Sequence, residues 1–153
     1  MKSQIKIVIV LFTTALFYSC GNSDEKKIDG NAERDALENC LTLSLEANKL
    51  TQPPNNEITF DLPDTTEKEI IEKLEQSIEI GNNINDKFLY WLHDGLQYEF
   101  KEHFIKGSEL YLEGLKTENV EKQIKGNKLT IEWNEYWNDN KEDILNKMFP
   151  KEN

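Results

Sequence analysis

The sequence predicts an all-α protein, an irregular bundle of four to five helices with one extended segment at about 56–63. Apolar residues recur at spacings of three and four through most of the chain, which is the repeat of a helix with one buried face. A two-residue period appears once, where Ile58, Phe60 and Leu62 alternate with Glu57, Thr59 and Asp61. That alternation marks an extended chain with one side covered. No second run of the kind is present to pair with it, so the segment is expected to lie across helices. A length of 153 residues suits one modest domain.

The elements follow in order. Leu37, Cys40, Leu41 and Leu45, with Leu43, Ala47 and Leu50 beside them, place an amphipathic helix over about 32–50. Thr51-Gln52-Pro53-Pro54 ends it, because proline lacks the amide donor and keeps its preceding residue out of helical angles. Thr66 followed by Glu69 offers a capping box, and Ile70, Ile71, Leu74 and Ile78 continue at helical spacing. Gly81-Asn82-Asn83 is expected to interrupt that helix. From Ile84 to Leu115 one long helix is predicted. Leu89, Leu92, Leu96, Phe100, His103, Gly107, Leu110 and Gly114 form its main stripe, and Trp91, Tyr98, Ile105 and Leu112 a second. Core packing on both sides is the expectation. Thr117 is read as the cap of a short helix with Val120 and Ile124, ended by Gly126-Asn127. A last helix then presents Leu129, Trp133, Tyr136, Trp137, Ile144 and Met148 on one face.

Few residues point to chemistry. His103 is expected in the core: a di-iron motif needs Glu-x-x-His, position 100 is Phe, and Glu99 points to the edge of the stripe. His93 lies elsewhere on the helical wheel, so the two histidines form no helical ligand pair. Cys40 is read as a small buried hydrophobe. The sequence holds no glycine-rich phosphate loop, zinc-type cluster or nucleophile elbow. No cofactor, metal ligand or catalytic residue is therefore assigned, and binding is expected in place of catalysis.

The N-terminus states an address. Lys2 and Lys6 precede an apolar run from Ile7 to Tyr18 interrupted only by Thr13 and Thr14. This is the layout of a secretory signal, and the run is shorter than the roughly 20 residues of a spanning helix. Leu16-Phe17-Tyr18-Ser19-Cys20-Gly21 resembles the lipobox of bacterial lipoproteins through Ser19 and Cys20, while Phe17 and Tyr18 differ from its tightest versions. The resemblance implies that residues 1–19 are a signal peptide and that Cys20 is acylated and becomes the mature N-terminus. It also implies the envelope of a Gram-negative bacterium. Gly21-Asn22-Ser23-Asp24-Glu25-Lys26-Lys27 is similar to the acidic tags that direct such lipoproteins to the outer face of the outer membrane, with the periplasmic face as the alternative. Residues 20–31 are read as a flexible acidic tether and 32–153 as a single helical domain.

Charge points to the partner. The net charge of −11 excludes nucleic acid, whose phosphates are met by clustered cations. Discarding Lys2 and Lys6 with the signal takes it to −13. Glu132, Glu135, Asp139, Glu142 and Asp143 fall on one arc of the last helix, opposite its apolar face. Like charges at these spacings repel by a few tenths of a kcal/mol per pair, so local stability does not select them. The expected function is protein binding through this arc, of an immunity- or inhibitor-like kind, with a basic protein as partner. The alternative is a small-molecule or sensing domain with an apolar pocket near Trp91 and His103.

Overall fold

The computed structural model describes residues 30–51 and 64–150. They form an all-α bundle of five helices. Helix α1 is Gly30–Leu50, α2 Asp64–Asn83 and α3 Asp86–Leu92. Helix α4, residues 96–116, joins Leu96–Glu99, a wider π-helical turn Phe100–Ile105 and Lys106–Lys116 without a break; α5 is Val120–Met148. The signal peptide, Cys20 and the extended segment at 56–63 lie outside the described residues. So does all of the expected tether except Gly30 and Asn31, which open α1. Among the described residues no helix is long and apolar enough to cross a membrane.

The helices pair as two antiparallel hairpins. In the first, small residues let α1 and α2 approach: the Ser77 hydroxyl donates to the Cys40 carbonyl at 2.9 Å, and the Cys40 thiol donates to the Ser77 carbonyl at 3.2 Å. Lys73 pairs with Glu46 at 2.7 Å toward one end, and the Asn85 amide donates to Glu33 at 2.9 Å at the other. In the second hairpin α4 lies against α5. The main core fills the space between the pairs, with Leu37, Leu89, Leu92, Leu96, Phe100 and Ile144 fully buried. Each such side chain contributes about 1.5–3 kcal/mol by leaving water. A second cluster of Ala47, Ile70, Leu74 and Leu112 closes the far end.

Several sequence expectations are corrected. The predicted helix over Ile84–Leu115 is two helices, because α3 stops at Leu92 and the chain turns through His93–Gly95, with Gly95 at φ +84°. Glycine adopts that left-handed angle without a Cβ penalty. Leu89, Leu92, Leu96 and Phe100 are buried as the main stripe predicts, but on the second side only Ile105 and Leu112 are, and Trp91 and Tyr98 are exposed. Helix α2 starts at Asp64, so Thr66 lies inside it, and it runs through Gly81 to Asn83. Gly81 is retained for space: a Cβ there would stand 2.3 Å from Ile105 Cδ1.

Asn119 caps α5 by accepting the Lys122 amide at 3.0 Å, and the helix continues through Gly126-Asn127 for 29 residues. Gly126 is no terminator here. A Cβ on it would meet the Gly107 carbonyl oxygen at 2.5 Å and the Tyr111 nitrogen at 2.5 Å, so the backbones of α4 and α5 touch at this crossing. Gly114 faces Gln123 in the same way, with backbone at 2.7 Å. The cost of a helical glycine, about 1 kcal/mol, is offset by contacts along the whole hairpin.

Gly126→Ala is accordingly expected to destabilise the fold by about 1–3 kcal/mol, the range for overpacking a close contact. Gly30→Ala, where nothing lies within 4 Å of the added Cβ, is expected to change stability by much less. Denaturant unfolding of the two variants makes the comparison.

Candidate functional site

Helix α5 turns Trp133, Ile144 and Met148 inward and half-buries Tyr136 and Trp137. Trp133 is the anchor, in edge contact with Phe100 at 5.8 Å between ring centres and tilted against Phe104 at 5.4 Å. With that face committed, the helical repeat points Glu135, Asp139, Glu142 and Asp143 to solvent, and all four are exposed. None of them is ion-paired with a cation among the described residues. Two cations of the first half of α5 are engaged otherwise, Lys122 with Glu113 and Lys125 with Glu121.

Glu132 has a different role from the rest of the arc. Its carboxylate lies 3.5 Å from His103 Nε2, while Glu99 meets His103 Nδ1 at 2.5 Å. The sequence predicts His103 in the core and Glu99 at the edge of the stripe. The structure leaves the His103 side chain one-fifth exposed and brings both carboxylates to it. The cause is the π turn, in which the Lys106 amide reaches back five residues to the Lys101 carbonyl. One extra residue in the turn delays the phase, so Phe104 and Ile105 take the buried positions and His103 rotates to the α4–α5 seam. No single-period wheel contains this displacement.

A second polar contact crosses the same seam. Tyr136 Oη is 2.8 Å from His93 Nδ1 and donates to the Asp94 carbonyl at 3.2 Å, tying α5 to the turn that ends α3. Burial, reinforced by the charges of Glu99 and Asp94, pushes the Tyr136 phenol up to about 12. It is a protonated tether at neutral pH. His93 and His103 thus both serve the helix seam, and among the described residues no group of three or more His, Cys, Asp or Glu side chains is placed to hold a metal ion.

Trp91 and His103 do not line a groove that lies elsewhere among the described residues. That groove, about 330 Å³, lies between α1 and α2 and is bordered by Ala32, Glu33, Ala36, Glu79, Ile80 and Asn83. Trp91 instead stands exposed on α3 against Phe88, ring centres 6.0 Å apart, with Lys147 of α5 donating to its carbonyl at 3.3 Å. Cys40 is fully buried, and burial pushes its thiol up to about 11 in spite of the Ser77 hydrogen bond, so the nucleophilic thiolate is absent at neutral pH.

Comparison with protein-family models, curated proteins and solved structures finds no match to the chain. The site is therefore defined by its own geometry, an outward acidic face on a helix whose inward face is locked by aromatic packing.

Because the Tyr136 value is raised in the folded state, its contribution to stability is whole below pH 10 and is lost as pH rises toward about 12. Tyrosinate absorbance should show a late-ionising component that shrinks in Tyr136→Phe, with Tyr111, also raised by burial, remaining. Thiol labelling of Cys40 at pH 8, in a Cys20→Ser background, should proceed only as fast as the domain opens, and a rate matching that of free cysteine would contradict its burial.

Proposed function

We propose that the chain is an exported, lipid-anchored helical protein that binds a basic protein partner through the outward face of α5, without catalysis. The observation that carries the reading is the set of four exposed acids, Glu135, Asp139, Glu142 and Asp143, without cations of their own among the described residues. Their mutual repulsion is relieved when a cationic surface approaches, and such complementarity raises the rate of encounter and rejects acidic competitors. An immunity- or inhibitor-like role toward a basic enzyme or toxin is the form this reading takes.

The anchor reading rests on the Ser19-Cys20 resemblance, in which diacylglyceryl transfer to Cys20 follows export and residues 1–19 are removed. Acyl chains at that position hold a domain to an outer membrane at about 0.8 kcal/mol per buried methylene. A net charge of −13 in the mature chain then keeps the bundle off the anionic lipid surface, with α5 open to partners.

Glu135→Lys combined with Asp139→Lys is expected to abolish association with a cationic probe protein, cytochrome c, while the helical circular dichroism is unchanged. Added salt should weaken the wild-type interaction, since exposed charges are screened over about 10 Å at 0.1 M. Unchanged binding by the doubly reversed protein would refute the reading. For the anchor, Cys20→Ser should move the protein from the membrane to the soluble fraction and remove the acyl mass.

A further inference from the structure

On α5, Ile131, Glu135, Asn138, Glu142 and Leu145 follow one another at steps of four, three, four and three, so they form a single line on the surface. Every one of them is exposed, and the two apolar ends stand 49% and 41% open to solvent. Ile124, 65% exposed, extends the line by seven residues toward the helix start. Single exposed aliphatics need no explanation. Here they share a line with unpaired carboxylates, on the side of α5 away from Trp133, Ile144 and Met148.

We propose that this line is a docking seam for a cationic amphipathic helix. The proposal rests on the acidic-face reading above and names the partner's shape. From Ile131 to Leu145 the line winds by about 40° around α5 and spans about 21 Å at 1.5 Å per residue. A second helix laid along it repeats with the same period, so its apolar residues meet Ile131 and Leu145 while Lys or Arg between them meet Glu135 and Glu142. A second copy of this chain does not suit the seam, because paired copies bring the Glu135 and Glu142 carboxylates of one against those of the other. The sum of charge favours the same choice, since a −11 chain repels itself and draws a cationic helix.

The probe is a fluorescently labelled synthetic peptide of about five turns, with leucines at both ends of one helical face and lysines between them. A control of identical composition has the same residues permuted so that no face forms. Titrated into the purified protein, the amphipathic peptide should bind and gain helical circular dichroism, and the permuted peptide should bind at least about tenfold more weakly. Ile131→Ser with Leu145→Ser, both on the solvent side and compatible with folding, should lower the affinity for the amphipathic peptide by about tenfold and leave that for the permuted one unchanged. Equal binding of the two peptides, or indifference to the Ile131 and Leu145 changes, would overturn the seam while leaving the acidic face intact as a charge-only surface. Failure of the amphipathic peptide to bind would also overturn it, and the acidic-face reading would then stand or fall on the charge-reversal result alone.

Discussion

The contact on which the rest of the bundle depends is backbone against backbone, where Gly107 of α4 meets Gly126 of α5. With no Cβ on either side, the helices close to a separation that ordinary side chains forbid, and the register of the hairpin is pinned at one point. From there the antiparallel run carries Trp133 onto Phe100 and Phe104, Glu132 to His103, and Tyr136 to the turn at His93–Gly95. Small residues do similar work on the other hairpin, where Cys40 and Ser77 exchange hydrogen bonds through their side chains. The two pairs are thereby narrow, and the main core lies between them.

The π turn at Phe100–Ile105 reconciles two demands on α4. Before it, Leu96 and Phe100 face the core; after it, Gly107 and Gly114 must face α5, while Phe104, Ile105 and Leu112 remain buried. A strictly regular helix rotates too far between those points. Widening one turn absorbs the mismatch, at the cost of weaker hydrogen-bond geometry over a few residues. It also brings His103 to the seam, where its two ring nitrogens lie between carboxylates of α4 and α5. Locking the seam in this way holds the inward face of α5 and leaves the outward acids on a face of fixed direction.

Much of this was legible in the residues, for a physical reason. Leu37, Cys40, Ile70, Leu74, Leu89, Leu92, Leu96 and Phe100 are buried as their spacing predicts, because a repeat of three and four is the direct imprint of a helix on a core. The outward orientation of Glu135, Asp139, Glu142 and Asp143 follows from the same repeat. What escaped were the interruptions. Gly126-Asn127 carries the residue types of a helix end, yet a close crossing demands glycine just as strongly, and only the neighbour decides between the two. Gly95 offered the opposite signal, a single glycine between apolar residues of matching phase, and it ends a continuous stripe by taking a left-handed angle. The Glu99–His103–Glu132 contact was hidden because it joins two helices through a phase shift that no periodic wheel represents.

By itself the sequence determined the class of the fold, the core-facing residues of most helices, the resemblance of Ser19-Cys20 to a lipidation site, and the acidity of the last helix. Those are local properties, set by side-chain chemistry and by a period of 3.6 residues. Tertiary structure alone decided where the helices break, that Trp91 faces solvent, that His103 joins a seam, and that Glu132 is spent on it while its four acidic neighbours remain open. Each of these depends on what a second helix brings within a few ångströms, and that information resides in the packing of the chain against itself.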